Sequence, residues 1–167
     1  HDAVRQYSRM TEAPVLVQRD TTGETVDTLI VRSRVMESYR DSTRLMVAQD
    51  SVQIVRRDLA GTAGTVTFHT RGDSIRMRTS PVLWYEETQV TGDSINVFMR
   101  SRALDRITVM GNAFALSESD TAFIGRYDQL SGETLVMQFV QKRLRRIDVD
   151  VRATSLYFVY EDSAGNG

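Results

Sequence analysis

The sequence predicts a single all-β domain of antiparallel strands. Three observations point there. Apolar residues alternate with a period of two, a short motif returns at a fixed spacing, and no long segment keeps the three-and-four spacing of an amphipathic helix.

The alternation is clearest in two runs. In Gly92-Asp93-Ser94-Ile95-Asn96-Val97-Phe98-Met99, positions 95, 97 and 99 share a face, and in Gly132-Glu133-Thr134-Leu135-Val136-Met137-Gln138-Phe139, positions 135, 137 and 139 do. Ile107 and Val109 flank Thr108, and Ile147, Val149 and Val151 alternate with Asp148 and Asp150. In a strand this spacing sets one face on a core and the other in water. Thr, Val and Ile are frequent, as strands prefer, and only Pro14 and Pro81 interrupt the chain.

The returning motif is Gly72-Asp73-Ser74-Ile75, which recurs 20 residues on as Gly92-Asp93-Ser94-Ile95. Further steps of 20 reach Gly111-Asn112-Ala113-Phe114 in looser form, then Gly132-Glu133-Thr134-Leu135, then Arg152-Ala153-Thr154-Ser155. A shift of 40 maps Val109-Met110-Gly111-Asn112-Ala113 onto Val149-Asp150-Val151-Arg152-Ala153, and Val47 to Val52 reads as a degenerate copy. A fixed period of this length means stacked supersecondary units, here two short strands with their turns. The Gly-Asp pairs, and Asn112 beside Gly111, are read as left-handed turns. Because the period is even, the inward face keeps odd numbers, from positions 75 and 77 to 147, 149 and 151. Phe114 and Leu116, then Leu156, Phe158 and Tyr160, break that parity and predict strands apolar on both faces. Ser117 to Asp128 departs from the pattern and is expected to form a longer loop.

Composition agrees with one folded domain. A chain of 167 residues buries roughly 70% of the surface it exposes when unfolded. The formal net charge of -1 gives no global attraction to nucleic acid or to an acidic membrane. Lys142 is the only lysine, so nearly every cation is an arginine, a fork of donors suited to phosphate and carboxylate. Codon bias is the plainer explanation of that usage. No apolar run approaches the roughly 18 residues that a membrane helix needs, and no signal peptide is visible. The chain opens on His1-Asp2-Ala3 and ends on Ser163-Ala164-Gly165-Asn166-Gly167, and reads as a piece of a longer protein with a linker-like tail.

The residues offer little to catalysis. With no cysteine, disulfides, thiolate metal sites and cysteine nucleophiles are excluded. His1 is terminal, and His69 lies in the strand-like run Thr65-Val66-Thr67-Phe68-His69-Thr70 without HExxH, HxH or GxSxG spacing. Asp73, Asp93 and Glu133 occupy equivalent positions and could bind calcium or act as a glycosidase pair, but they fall in the turn slot, where Asp bonds its own backbone. No catalytic residue, metal or cofactor is therefore expected. The basic run Lys142-Arg143-Leu144-Arg145-Arg146 is expected in a turn, where Lys142, Arg143, Arg145 and Arg146 could hold a phosphate or acidic headgroup; a solvated turn is the plainer reading. Trp84 and Tyr85 follow Ser80-Pro81-Val82-Leu83, one ring expected inward and one outward.

The pattern Gly-Asp-x-Ile, then roughly a dozen residues, then Val-x-Gly-Asn-Ala resembles the repeat of the OstA/LptA-like superfamily. Leu104 to Ala115 carries it best. Ser80-Pro81-Val82-Leu83-Trp84-Tyr85 with Gln89-Val90-Thr91-Gly92-Asp93, and Ala153 to Glu161, are similar to longer OstA-like proteins of Bacteroidetes-type bacteria. The resemblance covers about residues 40–162. It implies an open, V-shaped, repetitive antiparallel β-jellyroll of two sheets, stacked end to end by strand pairing in the periplasm of a Gram-negative bacterium. It also implies lipopolysaccharide acyl chains in an apolar groove. The division expected is residues 1–40 as N-terminal strands or cap, 41–162 as the β-repeat domain and 163–167 as tail. Groove candidates are Ile75, Met77, Ile95, Val97, Met99, Leu135, Met137 and Phe139, whose methionines suit irregular apolar ligands. The partners implied are lipopolysaccharide or another envelope lipid and homologous β-domains, with no nucleic acid and no membrane span. The competing reading is a structural β-solenoid interaction module of a larger cell-envelope protein, without lipid. An open groove favours the first, a packed core the second. A third, a glycan-active β-helix enzyme, needs acids clustered on one sheet face, and the acids here fall largely in turns.

Overall fold

The computed structural model describes residues 7–20, 27–40, 42, 44–69, 73–101, 103–118 and 126–158. Among them fourteen strands and no helix occur. In chain order they are β1 (Tyr7–Met10), β2 (Val15–Asp20), β3 (Asp27–Arg32), β4 (Val35–Tyr39), β5 (Leu45–Arg56), β6 (Leu59–His69), β7 (Ser74–Arg78), β8 (Val82–Tyr85), β9 (Thr88–Thr91), β10 (Ser94–Arg100), β11 (Ala103–Glu118), β12 (Tyr127–Val140), β13 (Arg143–Asp150) and β14 (Thr154–Leu156). Every pairing is antiparallel.

The long strands β5, β6, β11 and β12 bend midway and serve two sheets. One sheet runs β1-β4-β5-β6-β7-β10-β11-β12-β13. The other runs β2-β3-β5-β6-β8-β9-β11-β12-β14, through the opposite halves of the shared strands. The sheets fold toward each other along the line of bends, and one core cluster fills the space between them. Gly61 of the second sheet shows how close they come: a Cβ there would stand 2.8 Å from Cε of Met77 in the first. The two-sheet jellyroll that the sequence suggests is therefore present, and β1 to β4 belong to the same two sheets as the rest.

The bends have a common construction. One strand places two residues in the left-handed region: Asp50 and Ser51, Thr79 and Ser80, Gly111 and Asn112, or Val151 and Arg152. The neighbouring strand answers with an N–H that donates to a carbonyl of that pair. Arg34 donates to Asp50, Gly64 to Thr79, Asp93 to Gly111 and Glu133 to Val151, at 2.8–3.1 Å. Side chains tie the last two bends as well: the Asp93 carboxylate accepts from Asn112 Nδ2, and Glu133 accepts from Arg152. These two acids thus take part in the bends.

Four expectations change here. Gly92 and Gly132 do not have left-handed backbones. They are small because Val109 and Val149 press on them: a Cβ would lie 2.5 Å from Val109 Cγ1 and 2.6 Å from Val149 Cγ1 respectively. The unit that repeats with its register intact is 40 residues, because a full circuit goes over one bend and back over another. Ile95 opposite Val109 becomes Leu135 opposite Val149, and the register shift at Phe98/Met99 recurs at Gln138/Phe139. A step of 20 lands on the opposite kind of bend. Val151, expected inward, sits in a bend and is exposed. Ser117, Glu118, Tyr127 and Asp128 are paired strand and not loop; residues 119–125, like Gly72, His1 and the tail, lie outside the described residues.

The last bend yields a paired prediction. Gly132→Ala should cost about 1–3 kcal/mol through overpacking, because Val149 Cγ1 and the Asp150 carbonyl leave no room. Val151→Asn should gain about 1 kcal/mol, since a β-branched residue at φ 58 is strained and Asn is not. Thermal melts of the two variants should move in opposite directions.

Candidate functional site: the interior between the sheets

The candidate groove residues converge in the first sheet. Its register lines up one inner row as Met10, Met36, Ala48, Val66, Met77, Ile95, Val109, Leu135 and Val149. The adjacent row reads Phe68, Ile75, Val97, Ile107, Met137 and Ile147. Met99 and Phe139 lie one step further from the bends, each beside a register shift. No charged side chain interrupts either row.

Seven of the eight candidates are at most 5% exposed, and Met99 is half-buried at the rim. They line a filled interior, not a groove open to solvent. What covers them is the inner row of the second sheet, Leu16, Val31, Ile54, Gly61, Leu83, Val90, Ala115 and Leu130. Sequence reasoning named none of these as site residues, although Val52, Ile54 and Leu83, Tyr85 alternate.

Opposite the bends, the sheets meet along a rim where, among the described residues, no chain crosses. Contacts of two residues, Arg56 and Tyr85, bridge it among the described residues. Arg56, at the end of β5 in the second sheet, reaches Sδ of Met99 in the first at 2.8 Å, while Asp27 and Asp58 hold its guanidinium. One oxygen of each of these acids is buried without a hydrogen bond among the described residues. Tyr85, in β8 of the second sheet, donates to the carbonyl of Lys142 at 2.8 Å and packs edge-on against Phe139 of the first, centroids 4.8 Å apart. Trp84 points outward and donates to Gln89.

Of the basic run only Lys142 lies in a turn; Arg143 to Arg146 are strand. Gln141 and Lys142, with φ of 51° and 61°, make a two-residue hairpin, and β13 resumes at Arg143. Arg145 is the unpaired residue of the register shift, and Arg146 binds Asp148 at 2.7 Å on the surface. All four headgroup candidates are exposed at the sheet edge. His69 ends β6 in solvent.

No protein-family model matches the chain, and no curated protein does so either. A solved structure does. It is LptH from Pseudomonas aeruginosa, the LptA-homologous periplasmic component of a lipopolysaccharide transport device, with a TM-score of 0.60 at 14% identity, over 87% of this chain and 96% of that one. The fold is LptA-like. The two bent, shared-strand sheets described above thus share the fold of LptH over nearly the whole of that chain. Among the described residues of this LptA-like chain, no helix is long and apolar enough to cross a membrane.

Two predictions follow from the interior. Met137→Glu sets a carboxylate at a position with no exposure, an unpaired buried charge that costs several kcal/mol against a total of roughly 5–15 kcal/mol for a domain. Its melt should fall by more than about 10 °C, or the variant should fail to fold. The second concerns pH. Burial, with the Glu86 and Asp58 carboxylates nearby, pushes the Tyr85 phenol up to about 12 from the ordinary 10.0. The folded state therefore holds this proton more tightly than the unfolded one. The stabilisation is complete below pH 10 and is lost as pH rises toward about 12, when the Lys142 carbonyl also loses its donor. Tyr85→Phe should flatten that alkaline loss in pH-dependent melts. Tyr7 and Tyr39, both raised beside Glu37, contribute equally to the two proteins.

Proposed function

We propose that this chain is a non-catalytic lipopolysaccharide carrier or outer-membrane assembly module of the periplasm, which holds acyl chains between its two sheets. The observation that carries the reading is the unbroken apolar face of the first sheet, two rows deep, in a fold shared with a lipopolysaccharide transport component. Ile75, Met77, Ile95, Val97, Met99, Leu135, Met137 and Phe139 are the acyl-chain contacts of this proposal. Lys142, Arg143, Arg145 and Arg146, clustered at one edge of the rim, are its headgroup contacts.

Stacking on homologous β-domains belongs to the same proposal. The edges of the second sheet are suited to strand addition: β2 exposes Val15 and Val17, and β14 is uncharged and exposes Leu156, with Tyr157 exposed beside it. The edge strand β13 of the first sheet is dense in charge, which discourages pairing.

The alternative, a structural β-module without lipid, is favoured by the burial of the interior: an acyl chain must displace side chains to enter. Photo-methionine separates the two readings without changing shape. Of the seven methionines, Met77, Met99 and Met137 are the interior contacts of this proposal, Met36 is buried in the same row, and Met110 is exposed on the outer face. Illumination with lipopolysaccharide should give adducts on Met77, Met99 and Met137, and at most background on Met110. Adducts confined to Met110, or equal at all four, would establish the structural reading instead.

A further inference from the structure

We infer that the rim opposite the bends is a latched mouth: the two sheets part there, hinged on the bends, when the Arg56–Met99 and Tyr85–Lys142 contacts release, and an acyl chain enters sideways through the gap. The role as an entrance rests on the carrier reading above; the hinge does not.

The asymmetry between the two long sides of the sandwich carries the inference. Along the bends the sheets are joined covalently, since β5, β6, β11 and β12 run through and β3 passes to β4, β7 to β8 and β9 to β10 within a few residues. Each bend also carries its own N–H to carbonyl bond. The sheets cannot separate on that side. On the rim side each sheet closes its own hairpins, such as Arg56 to Leu59 in the second and Arg100 to Ala103 or Val140 to Arg143 in the first. The polar contacts between the sheets described there are individually weak. A thioether is a poor acceptor for the Arg56 guanidinium, and Tyr85 supplies one neutral hydrogen bond to Lys142.

The two contacts are also placed alike. Counted from the N-terminal edge, β5 is third in the second sheet and β10 is sixth in the first, an offset of three strands. β8 is fifth in the second sheet, and the turn it reaches joins the eighth and ninth strands of the first. The latches thus repeat one geometric relation between skewed sheets. Directly behind them lie Leu59, Leu104 and Phe139, each 4–5% exposed, and beyond these the fully buried rows. Arg56 stays tethered to Asp27 and Asp58 on its own sheet, so releasing Met99 does not strand the charge.

The test uses the absence of cysteine from the chain. Single thiol probes go in at Leu104→Cys, behind the latches, and at Ala113→Cys, beside a bend and 1% exposed. The latches are released by Tyr85→Phe with Met99→Leu, which keeps both volumes and leaves Arg56 with its carboxylates. Alkylation at position 104 should become about tenfold faster on loss of the two contacts, with position 113 unchanged. Equal acceleration at both positions means global loosening and overturns the hinge, as does no acceleration at either. In the lipid arm, Glu86→Cys and Gln141→Cys, exposed on either side of the Tyr85–Lys142 contact, are joined by a short bis-maleimide or capped singly. Uptake of fluorescent lipopolysaccharide should fall at least tenfold in the joined protein alone. Undiminished uptake would overturn the entrance, placing admission at the ends of the stack. Absence of uptake from every form would overturn the carrier reading and the entrance with it, leaving the hinge to be decided by the alkylation rates.

Discussion

The structure depends on how a strand leaves one sheet and joins the next without stranding its backbone. A sharp bend takes N–H and C=O groups out of the ladder, and buried groups of this kind must find partners. Here two left-handed residues on one strand oppose a single residue on its neighbour, and the N–H of that neighbour donates back across the bend. The arrangement turns the chain, satisfies the polar groups and sets the distance between sheets. Gly92 and Gly132 follow from it, because the single residue is pressed against Val109 or Val149. So do the ties of Asp93 to Asn112 and of Glu133 to Arg152, 40 positions apart.

From the bends outward, the inner face is determined. Side chains alternate along each strand, so fixing one residue at the bend fixes which rows face the interior. The result is a slab of apolar side chains that continues from β1 to β13 with no charged residue in either central row. Polar chemistry is confined to the margins, with Arg56, Asp27, Asp58 and Tyr85 at the rim and the arginines of β13 at an edge. An interior of this kind is held together by apolar packing, with its ionisable groups kept at the margins.

The sequence revealed the first sheet well and the second poorly, and the bends explain why. Crossing a two-residue bend preserves parity, as from Val109 to Ala113 in β11, so odd positions stay inward. Crossing a one-residue bend reverses it: Ala63 is followed inside by Val66, and Val90 by Ile95. A parity rule drawn from Ile75 to Phe139 therefore hid Ile54, Val90 and Leu130, which carry even numbers. Parity likewise misplaced Val151, which belongs to a bend. The basic run was legible as chemistry but not as place, since nothing in Lys142-Arg143-Leu144-Arg145-Arg146 announces that Gln141 and Lys142 complete the hairpin alone. Contacts across the rim were illegible for a further reason. Arg56 and Met99, or Tyr85 and Lys142, meet through the skew between the sheets, and no local pattern encodes it.

Each strand touches only its ladder neighbours and the sheet opposite, so the molecule is organised along one line. Its cooperativity is that of a zipper, whose couplings run between adjacent circuits instead of through one central nucleus. Of the edge strands, β1 and β14 are the shortest, with four and three residues and, among the described residues, a single ladder partner each. They are the natural origins of fraying, and under tension the chain would peel circuit by circuit from its ends. By the same logic a 40-residue circuit can be gained or lost by duplication or deletion without rebuilding its neighbours, which makes the length of the apolar slab an evolutionarily adjustable quantity.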